Sequence, residues 1–218
     1  MNILQLLTQD GASIRRRMME VRVQTRRRER EALRGRVAAA LASGAAAHAR
    51  EEEGNTPLMY AVESGEAELV QLLAAADVNT ANAHGLTPLM FAAMLDAPEV
   101  VRALLAAGAD GAARDAEGCS AFMYAAQYAA PEVMRLLHPT APVDEVNACS
   151  AHGWTLLSLA SMHNASDAVQ LLLDLGAGVN SPGKWGMTPL MCAVHRGIAG
   201  EAVLRTLLAA GAEMPASE

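Results

Sequence analysis

Two cysteine–histidine pairs are the residues of this chain whose types and spacing could do chemistry. Cys192 and His195 stand three residues apart, a spacing that suits a nucleophile and its base on one helix, and Cys149 and His152 form a CxxH pair. A catalytic or metal site needs further groups that converge on such a pair, and no acidic residue or second pair recurs at a useful spacing. We therefore expect no catalytic residue, no metal site, no cofactor, no small-molecule substrate and no enzymatic activity.

The element that would have to position such residues is a twelve-residue block that recurs along the chain. It first appears as GNTPLMYAVESG and returns with periods of 31, 33, 35 and 33 residues. A Thr–Pro pair, or its equivalent, predicts a helix start in each block, because the hydroxyl caps a backbone N–H and proline has none to leave unpaired. A second helix follows, and repetition at this period predicts stacked units that share one core. The leading glycines are Gly54, Gly85, Gly118, Gly153 and Gly186.

The blocks GxTPLxxAA and LLxxGAD resemble those of the ankyrin-repeat family, and the resemblance covers roughly Val37 to Ala212. It implies an all-α solenoid of stacked helix–turn–helix units with short β-hairpin-like tips. It also implies a non-enzymatic scaffold that binds another protein along its concave face. The family's usual histidine after TPL is replaced in every unit, so its hydrogen bond should be absent or replaced. The replacing residues are Met59, Met90, Met123, Ser158 and Met191.

Charge divides the chain into two parts near Gly35. Residues 1–36 hold ten arginines and four acids, a net charge of +6. The rest of the chain has a net charge of −13, so the whole chain carries −7. We expect an Arg-rich N-terminal helical cap or arm over 1–36, a repeat domain over 37–213 and a tail over 214–218. The repeat domain would open with a half-repeat, 37–53, and continue with full repeats that start at residues 54, 85, 118, 153 and 186.

The arginine-rich segment leaves several interpretations open. It could cap the first half-repeat, since repeat stacks need polar ends, or remain a solvated arm. It could instead bind a polyanion, either nucleic acid or an acidic membrane, or serve as a target helix for a calmodulin-like protein or an import receptor. The candidate polyanion-binding residues are Arg15, Arg16, Arg17, Arg26, Arg27 and Arg28.

Cysteine usage and hydropathy indicate the cellular compartment in which we expect the protein. The three cysteines fit no disulfide framework or zinc spacing, which favours a reducing compartment. No apolar run approaches the ~20 residues that a membrane-spanning helix needs, so a transmembrane protein is not expected. We expect a cytoplasmic protein, with a nuclear location as the alternative because two RRR clusters are typical of an import signal.

The two tryptophans are the residues that we expect to anchor a partner. The resemblance implies that the leading glycine of each block, the tip glycine, lies at the tip of its unit. It also implies that the residues beside the tip glycine point toward the concave face, where partners dock. Trp154 follows Gly153, Trp185 precedes Gly186, and the chain holds no other tryptophan. Exposed tryptophans in a groove are frequent interface anchors, and burial against a neighbouring tip is the alternative. The sequence therefore predicts a partner-binding face centred on the two indoles.

Equivalent positions in the other repeats extend this face. We expect a partner that places an apolar or acidic segment at the tryptophans and basic residues toward Glu52. The end near the tryptophans would be apolar and mildly basic, with Lys184, Met187, His152, Met162, His163, His195 and Arg196. The other end would be acidic, with Glu52, Glu53, Asn55 and Glu63. Between them would lie His84, Leu86, Met94, Leu95, Glu117, Gln127 and Tyr128.

Overall fold

The computed structural model describes residues 50, 53–142, 144–150, 153–195 and 201–213, with the backbone alone for 75–77 and 195. Over that range the chain forms ten α-helices and no strand, which confirms the predicted all-α class. The helices come in five consecutive pairs, one in each predicted full repeat. They are α1 Pro57–Ser64, α2 Ala67–Asp77, α3 Pro88–Met94, α4 Pro98–Ala106, α5 Ala121–Gln127, α6 Pro131–Leu137, α7 Leu156–Met162, α8 Ser166–Asp174, α9 Pro189–His195 and α10 Glu201–Ala209.

The five pairs stack into two rows of helices. The odd-numbered helices contact one another in order as an inner row, and the even-numbered helices do the same as an outer row. Each inner helix also contacts the outer helix of its own pair. One position of every inner helix holds an alanine that is at most 2% exposed, so neighbouring units can approach closely. The result is the predicted solenoid of helix–turn–helix units. These alanines are Ala61, Ala92, Ala125, Ala160 and Ala193.

Hydroxyl caps begin the inner helices, as the Thr–Pro pairs predict. The backbone N–H of Met59 donates to Thr56 Oγ1 at 3.3 Å, and the N–H of Thr56 donates to the sulfur of Met59 at 3.5 Å. The Thr87–Met90 pair repeats both bonds at 3.4 Å. Such a reciprocal pair is a capping box, here with a thioether as the second acceptor. In the first, second and fifth units a methionine sulfur therefore accepts a hydrogen bond at the position of the family's histidine.

A left-handed residue joins the inner helix to the outer helix in each of the first four units. Successive units place Gly65, Asp96, Ala129 and Asn164 at this position, with φ between 50° and 76°. Glycine adopts this conformation without steric cost, and asparagine and aspartate tolerate it. Alanine has a Cβ that clashes in this conformation and no polar side chain that could form a compensating hydrogen bond, so the backbone at Ala129 is strained.

The third unit ends irregularly, where its sequence departs from the LLxxGAD pattern after Leu137. Single 3₁₀ turns at His138–Thr140 and Glu145–Asn147 stand where the second, fourth and fifth units have a left-handed glycine. The Glu145 side chain is 0% exposed and accepts hydrogen bonds from Arg114 Nη2 at 2.6 Å and from the Ser120 hydroxyl. An ion pair with a buried carboxylate and a partly exposed arginine thus ties the irregular segment to the tip that precedes Gly118.

Asparagine side chains fasten three units to the units that follow them. Asn79 Nδ2 donates to the carbonyl of Gly108 at 3.2 Å, and the N–H of Asp110 donates to Asn79 Oδ1 at 2.8 Å. Asn147 and Asn180 make the same two bonds to the following turn, at distances between 2.9 and 3.3 Å. Each side chain therefore crosses one joint of the stack and satisfies a donor and an acceptor there.

Several sequence predictions lie outside this part of the chain. The segment 1–36, nearly all of the half-repeat 37–53 and the tail 214–218 are not among the described residues, so their boundaries and roles stay predictions. Among the helices that are described, none combines the length and the hydropathy needed to cross a membrane.

Candidate partner-binding face

The first three tips are linked to one another through backbone hydrogen bonds. The N–H of Ala83 donates to the carbonyl of Glu53 at 3.0 Å, and the N–H of Ala116 donates to the carbonyl of His84 at 3.1 Å. In both cases the acceptor is the residue before a tip glycine. The side chains of Glu53, His84 and Glu117, which share this position, are exposed. The tips therefore present one side chain per unit to solvent from a connected backbone.

Residues that follow the tip glycine are less exposed. Asn55, Leu86, Trp154 and Met187 are all half-buried. Asn82 Nδ2 donates to Asn55 Oδ1 at 2.9 Å, which holds the first two tips together. These positions both pack within the stack and contribute to its surface.

Trp154 and Trp185 meet at the last two tips. Their ring centroids are 5.7 Å apart and their planes are inclined at 88°, an edge-to-face contact. Such a pair contributes about 0.5–1.5 kcal/mol beyond the burial of its area. Trp154 is half-buried, whereas Trp185 is 78% exposed. One indole thus supports the other, which faces solvent over most of its surface.

The backbone of Trp185 lies in the left-handed region, with φ 59° and ψ 23°. For a bulky residue this is a true outlier, and the left-handed conformation costs about 1–2 kcal/mol. A side chain that is 78% exposed recovers little of this cost through burial. Tryptophan therefore occupies this turn against the local backbone preference, a condition that is concentrated at functional sites.

Lys184 places a cation beside this indole. Its Nζ lies over the Trp185 ring, 4.7 Å from the centroid. At an exposed site such a cation–π contact contributes about 0.5–1 kcal/mol. The last tip therefore combines an exposed aromatic ring with a positive charge.

The predicted face continues along the C-terminal ends of the inner helices. His163 Nδ1 lies 2.8 Å from the carbonyl of Leu159, so the ring is held against its own helix. Of the candidates here, Glu63, Tyr128 and His163 are exposed, and Met94, Leu95, Gln127 and Met162 are half-buried. The candidates outside the described residues are Glu52, His152, Arg196, the side chain of His195 and all six candidate arginines of residues 15–28.

Charge changes along this face. In the first three units, segments 53–65, 80–96 and 112–129 contain five acids and one cation, Arg114, which pairs with Glu145. In the last two units, segments 148–150, 153–164 and 180–195 contain Lys184 and no acid. Over the described residues the face therefore runs from acidic to mildly basic. The five acids are Glu53, Glu63, Asp96, Asp115 and Glu117.

Sequence reasoning missed Asp96 as a member of this face. The residue is exposed and occupies the left-handed turn after α3. A usable signal exists, because Gly65 and Gly197 stand nine residues after the block threonine in their own repeats, just as Asp96 does. At that offset Gly65 and Asp96 are exposed, whereas Ala129 and Asn164 are half-buried.

Cys192 is poorly suited to nucleophilic chemistry. It is 2% exposed, and burial raises the pKa of its thiol, an effect only partly opposed by a hydrogen bond with Ser158. A reactive cysteine requires the opposite shift, toward thiolate. Cys149 is exposed, but its sequence partner His152 lies outside the described residues. Among residues that are described, no three His, Cys, Asp or Glu side chains converge as metal ligands would.

Comparison with known families agrees with the architecture. A family model described as ankyrin repeats, in three copies, matches residues 31–115 and 122–217. The two matched spans together include most of the chain and nearly all of the ten described helices.

Proposed function

This chain belongs to the ankyrin-repeat family, and on that premise we propose that it binds another protein through the face that carries Trp154 and Trp185. Ankyrin repeats are generally protein–protein interaction modules, and the family is typically non-enzymatic. The proposal adds the location of the binding face and its centre.

The observation that carries the proposal is the exposed, strained position of Trp185. A tryptophan side chain buries up to about 250 Å² in an interface, and apolar burial contributes roughly 25 cal/mol per Å². Covering Trp185 could therefore supply about 3–5 kcal/mol before the costs of association are subtracted. Truncation of such an anchor commonly costs about 2 kcal/mol or more of binding free energy, which is more than tenfold in affinity.

Side chains within the tips support a preorganised surface. Asn82 Oδ1 accepts from the N–H groups of His84 and Leu86 at 3.0 Å each. Asp115 Oδ1 accepts from two N–H groups of its own tip at 2.8 and 2.9 Å. Because the tips are already ordered, a partner does not have to order them on binding, and that reduces the entropy lost in association.

Affinity capture with a matched control tests the proposal. The intact chain, Trp185→Ala and Arg205→Ala would each be immobilised, exposed to the same native lysate and compared by quantitative mass spectrometry. Arg205 serves as the control because it lies on the outer helix α10 with 72% of its side chain exposed. We expect Trp185→Ala to lose proteins that the intact chain and Arg205→Ala retain. Equal retention by all three chains would show that this face is not the binding site.

The arginine-rich alternative stays a prediction. Arg15, Arg16, Arg17, Arg26, Arg27 and Arg28 lie outside the described residues, so contacts within the stack neither favour nor oppose it. Deletion of residues 1–36 would abolish salt-sensitive binding to nucleic acid or acidic vesicles if the segment is a polyanion tether. The expected cytoplasmic or nuclear location also stays a prediction.

A further inference from the structure

The chemistry of the partner can be taken one step further, and this step rests on the proposed function. We infer that Trp154, Trp185 and Lys184 form a receptor for a peptide segment in which a carboxylate stands next to a large apolar side chain. The same segment would carry basic residues in the direction of Glu117 and Glu53.

The ammonium group of Lys184 is the first feature that favours a partner carboxylate. Its Nζ lies over the Trp185 ring, and within the described residues no carboxylate comes within ion-pair distance of it. A ring quadrupole attracts a cation more weakly than a carboxylate in direct contact does. A carboxylate of the partner would supply that counter-charge at the edge of the exposed indole.

The apolar surface around this cation favours a large apolar side chain beside the carboxylate. Trp185 is the most exposed large apolar side chain of the described residues, and Trp154, Met187 and Met162 beside it in the repeat pattern are half-buried. Adaptable thioethers next to rigid indoles suit a large apolar side chain of the partner. The carboxylate and this apolar side chain must then be close neighbours, because Lys184 and Trp185 are consecutive.

The distribution of charge along the face gives the direction and spacing of the charged residues in the peptide. Among the described residues, the acids on this face are confined to the first three units, and Lys184 is the cation that the face carries in the last two. Equivalent residues of adjacent units are about 10 Å apart if the units stack at helix-packing distance. The tip of Glu117 then lies about 20 Å from that of Lys184, which an extended peptide spans with roughly six residues. Basic residues should therefore follow or precede the carboxylate at about that spacing.

A partner cation on the Trp185 ring is the main competing occupant. It would have to displace the Nζ of Lys184 and remain near it, in a region where the described residues provide no acid. Two like charges at short distance repel each other, so this arrangement is less favourable than a partner carboxylate. An arginine or lysine of the partner is better placed beside Glu117 or Glu53.

Selection from a random peptide library tests the inference. The library would be selected on the intact chain and counter-selected on Trp185→Ala, so that the peptides kept require the indole. We expect these peptides to be enriched in Asp or Glu beside an aromatic or large aliphatic residue, with Lys or Arg roughly six residues away. A synthetic peptide of this kind should bind Lys184→Glu about tenfold more weakly than the intact chain, because an attraction becomes a repulsion. Lys184→Arg, which keeps the charge, should bind within about twofold.

The outcomes separate this inference from the proposed function. If no peptide requires Trp185, the proposed face and the inferred chemistry both fail. If peptides require Trp185 but are neutral or basic beside their apolar residue, the proposed face stands and the inference is overturned. The inference is also overturned if Lys184→Glu binds the acidic peptide as tightly as the intact chain does. Unchanged far-ultraviolet circular dichroism and thermal unfolding of each variant would show that the stack itself is intact.

Discussion

Arg114 donates a hydrogen bond to the carboxylate of Glu145 at 2.6 Å, and Glu145 is completely buried whereas the arginine side chain is 40% exposed. Removal of Arg114 would leave a buried carboxylate with a neutral hydroxyl, that of Ser120, as its remaining described donor. We expect Arg114→Met to lower the free energy of unfolding by about 3 kcal/mol, measured by urea denaturation.

The double variant Arg114→Met/Glu145→Leu is the control, because it buries no charge. It should be more stable than Arg114→Met alone, since replacing a whole buried pair with apolar residues is often close to neutral. A double variant that is less stable than the single one would show that the pair is not energetically coupled.

The asparagine that crosses a joint should stabilise that joint locally. Asn79→Ala removes two hydrogen bonds to the next unit and should cost about 1–2 kcal/mol. The amide proton of Asp110, which donates to Asn79, should then exchange faster in native-state hydrogen exchange, while amides of the last two units stay unchanged. Ala112→Asn should bring no gain, because the unit that follows it ends in the His138–Thr140 turn rather than at a glycine cap. If the Asp110 amide exchanged at the same rate in the intact chain and in Asn79→Ala, this role of Asn79 would be contradicted.

Strain at the left-handed turn should be relieved by glycine. Ala129 has φ 56°, and the equivalent residue of the first unit is Gly65, with φ 76°. Ala129→Gly should raise the melting temperature, since about 1–2 kcal/mol of strain is removed and about 0.4–1 kcal/mol is lost to unfolded-chain entropy. Gly65→Ala should lower it. If the melting temperature shifted in the same direction in both variants, strain of the left-handed backbone would not be what determines stability at these positions.

Tyr124 should make the stability of the stack fall in alkaline solution. Burial, and then the hydrogen bond from its hydroxyl to Asp115 Oδ2 at 2.5 Å, raise the pKa of Tyr124. The folded state therefore favours the neutral phenol. Its stabilisation is complete below about pH 10, the pKa of an unfolded tyrosine, and is lost as the pH rises from there through the folded pKa. Tyr124→Phe should flatten this alkaline decline in melting temperature, and parallel curves for the two proteins would refute the assignment.

Local chemistry explains why the helix pairs could be predicted from the sequence. The Thr56–Pro57 pair fixes a helix start through atoms within a few residues of one another. A hydroxyl residue recurs at this position in all five units, and proline follows it in three of them. The same regularity predicts that the residue before each tip glycine exposes its side chain. Trp185, which precedes Gly186, does so.

Contacts that depend on unusual backbone conformations or on distant residues could not be predicted. The edge-to-face contact of Trp154 and Trp185 requires a left-handed tryptophan, which no local preference indicates. The Arg114–Glu145 pair joins residues 31 positions apart across a segment that departs from the repeat. Neither residue type nor spacing marks such a pair in advance.

Fluorine NMR of the intact chain labelled with fluorotryptophan tests the central claim most directly. The chain holds two tryptophans, so it should give two resonances, which Trp154→Phe and Trp185→Phe would assign. Titration with an unlabelled captured partner should shift or broaden both resonances, and Trp185→Ala should bind that partner at least about tenfold more weakly without a lower melting temperature. Two resonances that stay unchanged when the partner is saturating would contradict the claim that the Trp154–Trp185 pair anchors it.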